Sequence, residues 1–206
     1  MKVSAVRTRT SKEGEALAPF VIRHVPKLKD GSILVVTSKI VALSEGRTAH
    51  KREKERLIRS ESEWALPTKY GKVTLKDGVL MWNAGIDTSN AKDKIILLPR
   101  NSFHAAAALH TTLKKHYRIK NLGVLITDSR IIPLRAGVVG IALGYAGFRG
   151  LRDYRGKKDL FGDVYRVTRS DVADSLATAA VLLMGEGSDR QPLAVIEEAP
   201  VVFIER

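Results

Sequence analysis

Two aspartates that are each followed by a hydroxyl side chain are the residues of this sequence best suited to chemistry. Asp128 follows an apolar run at 122–127 that predicts a buried strand, and it precedes Ser129. Asp87 lies in the polar loop 83–90 and precedes Thr88. Carboxylate and hydroxyl oxygens are the hard ligands that Mg²⁺ and Mn²⁺ prefer. The pattern predicts a divalent-cation site, and the alternative is that both aspartates only cap turns.

Cationic side chains accompany these oxygens. A predicted strand at 32–36 is followed directly by Thr37, Ser38 and Lys39, so the ammonium group of Lys39 extends from a strand end. Arg135 belongs to a later glycine-rich stretch that carries several arginines, a composition typical of contact with an anion. The alternative for Lys39 is a lysine whose aliphatic stem lies against the core. Aspartates and cations together suit phosphoryl transfer. Three residues are therefore the candidates for the catalytic step: Lys39, Asp128 and Arg135.

The strongly basic composition of the chain favours anionic binding partners. The 206 residues carry a formal net charge of +13, which favours nucleic acid, nucleotide phosphates or a polycarboxylate, unless the charge only serves solubility. The absence of cysteine excludes disulfides, thiolate metal sites and cysteine nucleophiles. No apolar run reaches the roughly 20 residues of a membrane span, and the N-terminus has no signal-peptide core. We therefore expect a cytoplasmic protein with no membrane partner.

The common nucleotide-binding and hydrolytic motifs are absent from the sequence. It contains no GxxxxGK[ST] loop, no GxGxxG, no HExxH spacing and no GxSxG. A nucleotide must therefore be held by another arrangement of residues. Nucleic acid is the less favoured partner, because basic residues alternate with acidic ones in the segments 50–59 and 149–158 and no recognised nucleic-acid motif appears.

Short predicted strands outnumber predicted helices. Apolar runs between turn residues predict strands at 2–6, 32–36, 72–75, 79–82, 95–98, 122–127, 138–143, 164–168, 193–196 and 201–204. Helical spacing and cap residues predict helices at 16–24, 102–117 and 171–184, the first behind a capping box of Thr10 and Glu13. The charged segment 50–63 is expected as a solvated helix or loop. These elements predict an α+β fold in a single domain over 1–206.

Several segments, in one order along the chain, carry a resemblance to a known family. They are VVTSKIVALSEGR (35–47), NAGIDTSN (83–90), IILLP (95–99), LITDS (125–129), GVVGIALGYAGF (137–148), DYRGKKDLFG (153–162), VTRSDVADSLATAAVLLMGEG (167–187) and the following QP. Together they resemble the coenzyme F420:γ-glutamyl ligase family over most of the chain, from Val35 to Pro192.

The resemblance implies both a fold and a reaction. The implied fold is α+β, with mixed or antiparallel sheets and flanking helices, assembled as an intertwined homodimer. The implied enzyme is an NTP-dependent and divalent-metal-dependent amide ligase that uses GTP, or ATP as the alternative, with Mg²⁺ or Mn²⁺. A substrate carboxylate takes the γ-phosphoryl group, and the amine of L-glutamate attacks the acyl phosphate. The small-molecule partners are then L-glutamate, the nucleotide and a carboxylate-bearing cofactor precursor.

The resemblance also assigns roles to residues at matching motif positions. The implied metal ligands are Asp87, Asp128, Ser129 and Glu186. The implied nucleotide contacts are Thr37, Ser38, Lys39, Asn90, Gly185, Glu186, Gly187 and Ser188.

Three segments depart from the family pattern, one of them NSFH at 101–104, where the family has a more acidic segment. At 6–9 the chain reads VRTR, where the family has a proline-containing apolar stretch that helps to hold the nucleotide. At 129–135 it reads SRIIPLR, where the family has GRPWR after its aspartate and threonine. The acceptor is therefore left open between the deazaflavin precursor and a folate or pterin. A non-catalytic nucleotide-binding or nucleic-acid-binding protein is the competing class.

Overall fold

A five-stranded mixed sheet forms the centre of the fold, in a computed structural model that describes residues 1–89, 91, 93–132 and 134–205. In chain order the strands are β1 (Lys2–Val6), β2 (Ser32–Thr37), β3 (Thr48–His50), β4 (Trp64–Thr68), β5 (Gly71–Lys76), β6 (Val79–Trp82), β7 (Lys94–Ile96), β8 (Leu122–Ile131), β9 (Val138–Ala146), β10 (Leu151–Asp153), β11 (Arg169–Asp171) and β12 (Leu193–Glu197). The helices are α1 (Leu17–His24), α2 (Ser38–Ser44), α3 (Lys54–Ser60), α4 (Ser102–Tyr117) and α5 (Val172–Met184). The predicted α+β class is confirmed.

The central sheet has the strand order β1-β12-β2-β8-β9. Strands β2 and β8 run parallel, whereas the other neighbours are antiparallel. The last paired residues of β2 and β8 are Thr37 and Thr127, so β2 ends at an edge of the sheet beside the middle of β8. Strand β12 begins beside that edge, because Leu193 pairs with Val36. Segments from distant parts of the chain therefore converge there.

Alternating residues of the central strands fill two cores on opposite faces of the sheet. Leu34 and Val36 of β2 belong to the core that includes residues of α1, α2 and α4. Ile33 and Val35 belong to the core that includes residues of α5. Because helices cover both faces, β2 and the first half of β8 are unbroken apolar runs in the sequence.

Residues 45–98 add two smaller sheets. Strands β4, β5 and β6 form an antiparallel three-stranded sheet, and β3 pairs with β7. The predicted strands at 72–75 and 79–82 are confirmed as β5 and β6, which pair as a hairpin. Strand β4, which lies outside the predicted strands, pairs with the free edge of β5. The predicted solvated helix within 50–63 is confirmed as α3, in which Ile58 is the buried residue. Ile58 packs in a small core with Ile86, Ile95 and Leu97.

Side-chain caps begin two of the predicted helices. Asn101 and Asp171 each accept a hydrogen bond from the N–H three residues later, at 2.8 and 2.9 Å. The capping box predicted for Thr10 and Glu13 is wrong, because the Glu13 carboxylate binds side chains of β3 and β7 instead. Helix α1 starts at Leu17 without a side-chain cap. Among the described residues, no helix has both the length and the apolar content needed to cross a membrane.

The predicted end of β8 is wrong. The strand continues to Ile131 because β9 pairs with it as far as Val138. A register shift interrupts the pairing between Ile126 and Thr127, where the apolar run gives way to polar residues. The polar residues that follow, starting with Asp128, therefore lie within a paired strand and are held by its hydrogen bonds.

Two further strand predictions near the C-terminus are also wrong. The segment 164–168 contributes only an isolated bridge at Val164, and the pairing with β10 falls at β11 instead. The segment 201–204 contributes only a bridge between Phe203 and Phe148. Both segments have the composition of strands, but each forms a single isolated bridge, to Lys158 or to Phe148, and no continuous ladder.

Candidate functional site

A cleft of about 950 Å³ opens at the edge where β2 ends beside the middle of β8. Such an edge is a frequent position for binding sites in sheets with parallel strands. The loop before β12 runs alongside it, because Thr37 N donates to Pro192 O at 3.0 Å and Thr8 N donates to Arg190 O at 2.8 Å. Most of the predicted site residues line this cleft: Thr37, Ser38, Lys39, Asp87, Asp128, Ser129, Gly185, Glu186, Gly187 and Ser188. The fold thus brings four separate segments together.

The carboxylate of Asp128 lies at the centre of this arrangement. Ser38 Oγ donates to its Oδ1 at 3.1 Å. Burial raises the pKa of the Asp128 carboxyl, although the hydrogen bonds from Ser38 and from the Ser129 N–H, together with the charge of Arg130, act in the opposite direction. The nearby Asp87 raises the pKa further. A half-buried carboxylate with these neighbours favours the approach of a cation.

Asp87 and Lys39 form an ion pair across the cleft. The Nζ atom of Lys39 lies 2.7 Å from Oδ2 of Asp87 and 3.2 Å from Oγ of Ser89. Burial of Asp87 opposes its ionisation, but the hydrogen bonds and charge of Lys39, together with those from Ser89, outweigh it and hold the pKa of Asp87 below its ordinary value. Asp87 is therefore ionised at neutral pH and offers oxygen atoms to the cleft.

An antiparallel bridge holds Asp87 in place. Asp87 N donates to Ile96 O at 2.8 Å, and Ile96 N donates to Asp87 O at 2.9 Å. The chain reaches this bridge through a turn at Asn83–Gly85 in which Ala84 has a φ of 53°. The N–H of Ala84 donates to the buried Thr74 Oγ1 at 2.8 Å, and this bond supports a backbone conformation that L-residues rarely adopt.

The loop 185–189 reaches β8 from the end of α5. Ser129 Oγ donates a short hydrogen bond to Oε1 of Glu186. Gly185 has a φ of 78°, and a Cβ there would lie 2.5 Å from Asp189 Oδ2. The same Asp189 oxygen accepts from Gly187 N at 3.2 Å. Glycine at 185 is therefore required for the loop to turn tightly enough to place Glu186 beside Ser129.

The predicted catalytic residue Arg135 is not brought into the cleft lining. Arg135 lies exposed in the turn between β8 and β9, where its N–H donates to Ile132 O at 3.2 Å. It is not among the residues that line the cleft. Asn90, predicted as a nucleotide contact, lies outside the described residues.

Two polar residues of β8 line the cleft although the sequence patterns did not identify them. Thr127 is 1% exposed, and in the described part of the chain its Oγ1 has no hydrogen-bond partner. Arg130 is half-buried and lies two residues beyond Asp128. Thr127 belongs to the apolar run by position, and Arg130 stands in a segment that departs from the family pattern. If β8 is extended beyond Thr127, the alternation of side chains between its two faces places Arg130 on the same face as Asp128. That pattern could have identified Arg130 from the sequence.

The oxygen donors of the cleft fit a divalent cation by their chemistry. Carboxylates from three segments and the hydroxyl of Ser129 line one space, and none of the donors is a soft ligand. Over the described ranges, no three His, Cys, Asp or Glu side chains are grouped closely enough to hold a metal ion. Asp87 is paired with Lys39, and Glu186 with Ser129. A bound cation would therefore replace these partners.

The family model and the relatives that match this chain all carry the name of one type of ligase. The family model described as F420-0:Gamma-glutamyl ligase matches residues 52–198. Coenzyme F420:L-glutamate ligase of Archaeoglobus fulgidus is 34% identical over 205 residues, which cover 90% of this chain and 82% of that protein. The protein of the same name from Methanocaldococcus jannaschii is 31% identical over 200 residues, 85% of this chain and 79% of that protein. That of Methanosarcina acetivorans is 33% identical over 202 residues, 86% of this chain and 78% of that protein.

Proposed function

This chain belongs to the F420-0:gamma-glutamyl ligase family, and from that premise we propose that it is a ligase that joins L-glutamate to a carboxylate-bearing acceptor. The relatives named coenzyme F420:L-glutamate ligase make F420-0 the reference acceptor. The observation that carries the proposal is the convergence of Lys39, Asp87, Asp128 and Glu186 on one cleft. Carboxylates and a cation around one space suit the transfer of a phosphoryl group.

The nucleotide is proposed to bind between the residues that follow β2 and the loop before β12. Lys39 supplies positive charge, and the backbone N–H groups of Glu186 and Ser188, which donate to no described residue, supply donors for phosphate oxygens. The hydroxyls of Thr37 and Ser38 lie on the same side. This arrangement needs no GxxxxGK[ST] loop, and we propose GTP as the nucleotide, with ATP as the alternative.

Asp87, Asp128, Ser129 and Glu186 are the residues that would hold Mg²⁺ or Mn²⁺. Such an ion, when bound, neutralises negative charge on a transferring phosphoryl group. The protein's own part is to keep Asp87 ionised through Lys39 and to orient Asp128 through Ser38. Release of Lys39 from Asp87 would free its ammonium group for a phosphate oxygen.

The reaction is proposed to proceed in two steps. An oxygen of the acceptor carboxylate attacks the γ-phosphorus, and the bond from phosphorus to the nucleoside diphosphate breaks. The amine of L-glutamate then attacks the acyl carbon, phosphate leaves and the nitrogen loses a proton to form the amide. The cleft must hold three substrates for this sequence, and its volume of about 950 Å³ lies at the upper end of the usual range for small-molecule sites.

We also propose that the protein is a homodimer. The segment 154–168 between β10 and β11 exposes Leu160, Phe161 and Val167 to 96, 93 and 82%. Monomers rarely expose so many large apolar side chains in one segment. A second copy of this chain would cover them, in agreement with the intertwined dimer that the family resemblance implies. Light scattering during size-exclusion chromatography should give twice the 22.7 kDa chain mass, and the mass of a single chain would contradict the proposal.

Phosphate release combined with product mass tests the proposed reaction. The protein is incubated with GTP or ATP, Mg²⁺ or Mn²⁺ and L-glutamate, and with F420-0 or a folate as acceptor. We expect phosphate release that requires an acceptor, and a product heavier by one or more glutamyl residues. A metal-loaded protein that neither binds nucleotide nor releases phosphate with any acceptor would contradict the ligase. Nucleic-acid binding that weakens steeply with salt would then support the competing class.

A further inference from the structure

We propose that Arg130 binds an anionic group of the acceptor substrate, and this inference rests on the proposed function. Arg130 lies on β8, pairs in register with Val139 and lines the cleft two residues beyond Asp128. It does not come from the family motifs, because it stands in the segment where this chain departs from them.

The guanidinium of Arg130 is the half-buried cation of the cleft that lacks a protein partner among the described residues. Lys39 pairs with Asp87 at 2.7 Å, Arg9 pairs with Glu15, and Lys94 pairs with Glu13. Arg190 lines the cleft as well, but it is exposed to solvent. The guanidinium of Arg130 makes neither a hydrogen bond nor an ion pair with a described residue, and only the longer-range charges of Asp128 and Asp174 act on it.

An unpaired, half-buried guanidinium is an unfavourable arrangement unless a ligand completes it. Burial lowers the pKa of Arg130, and the charges of Asp128 and Asp174 oppose this effect. Arginine stays protonated in proteins, so the cost of burial cannot be relieved by loss of the proton. A carboxylate or phosphate of a ligand would supply two acceptors in the geometry that the guanidinium fork matches.

The surroundings of Arg130 favour the acceptor over the other two substrates. Apolar side chains line the same cleft: Ile131, Val138, Val181 and Met184. Ile131 and Val138 face each other at the end of the β8–β9 pair and are 56 and 44% exposed. An anion attached to an apolar ring system can use both the charge and this surface. L-Glutamate has no such apolar body, and the nucleotide phosphates have Lys39 and the loop 185–188.

Kinetics of two Arg130 variants test the assignment. Arg130→Met removes the charge at similar volume, and Arg130→Lys keeps the charge but removes the fork. The matched control is Arg23→Met, on the exposed face of α1 and outside the cleft lining. We expect Arg130→Met to raise the KM for the acceptor by about 10- to 100-fold, the size of a lost charge-assisted hydrogen bond. Arg130→Lys should have a smaller effect, and the KM for nucleotide and glutamate should stay within about twofold.

Direct binding separates this inference from the proposed function. Calorimetric titration of F420-0 and of a folate into wild type and Arg130→Met requires no turnover. Weaker binding of either probe to Arg130→Met, at an unchanged melting temperature, supports the inference even if the wild type is not a ligase. Equal titrations for both proteins, or a KM change confined to nucleotide or glutamate, overturn it. If Arg130→Met unfolds, the comparison is made with Arg130→Lys, whose acceptor KM must then rise.

Discussion

The hydroxyl of Ser38 donates a hydrogen bond to Oδ1 of Asp128 at 3.1 Å, although 90 positions of sequence separate them. The bond joins the residue after β2 to a residue within β8, and it stabilises the ionised form of a buried carboxyl. Its two partners were predicted as a nucleotide contact and a metal ligand. The hydrogen bond therefore connects the proposed nucleotide site to the proposed metal site. A substitution at Ser38 tests this bond while Asp128 stays unchanged.

Replacement of Ser38 by alanine should reduce activity without unfolding the protein. The variant loses a hydrogen bond to a charged group, and such a bond contributes about 1.5–3 kcal/mol. We expect kcat/KM to fall by about 10- to 100-fold. Ser44→Ala is the control, because Ser44 Oγ donates to Val41 O at 2.7 Å within α2 and is not among the cleft-lining residues. An equal loss in both variants would indicate damage to α2 instead.

Asp128→Asn should remove turnover and leave the fold intact. The substitution keeps the shape of the side chain but removes the negative charge that the proposed cation needs, so we expect at least about a 100-fold loss of kcat. The melting temperature should stay equal or rise, because burial makes ionised Asp128 costly in the folded state. Calorimetric Mn²⁺ titration of both proteins gives a second readout. Near-normal turnover at saturating Mg²⁺ or Mn²⁺ would refute the assignment.

Gly147→Ala should destabilise the fold strongly. Gly147 has a φ of 83°, and a Cβ there would collide with the backbone oxygen of Leu122. Gly156→Ala is the matched control, because Gly156 has a φ of 80° and a Cβ there would meet no atom within 4 Å. We expect about 1 kcal/mol for the backbone strain in the control and about 2 kcal/mol more for the collision at 147. Urea unfolding measures both, and equal losses would contradict the collision.

Stability should fall as the pH is lowered through the range where histidine titrates. Burial lowers the pKa of His110, and Lys114 adds to this effect, while the Leu122 backbone and Glu205 oppose it. The unfolded chain therefore takes up this proton near its ordinary pKa of about 6.5, whereas the folded chain takes it up at lower pH. The His110 contribution is fully present above about pH 6.5 and is lost as pH falls through the folded pKa, by at most about 1.4 kcal/mol per pH unit.

Substitution of this histidine tests the effect. The slope of unfolding free energy against pH between about 7 and 5 should become shallower in His110→Gln. His104→Gln, at an exposed position of the same helix α4, should leave the slope unchanged. Equal slopes for wild type and His110→Gln would assign the pH dependence to other groups.

The sequence by itself determined most of the helices and strands, and it determined which types of side chain are available to the site. Continuous apolar runs predicted β2 and the first half of β8, because both faces of the central sheet are covered. Neighbouring cap candidates, Asn101 or Ser102 and Ser170 or Asp171, indicated two helix starts, since a cap acts within three residues, and the structure selects Asn101 and Asp171. The oxygen-bearing residues Asp87 and Asp128 and the cation Lys39 were also apparent, because their types restrict what they can bind.

Only the tertiary structure decided which of these residues meet and which do not. Asp128 lies within a strand because β9 pairs beyond the apolar run, and the segment 164–168 is not a strand because it lacks a continuous partner. The Lys39–Asp87 ion pair, the position of Arg130 in the cleft and the exposure of Arg135 follow from contacts between distant segments. The physical reason is that side-chain type and local propensity act over a few residues, whereas pairing and burial depend on the whole chain.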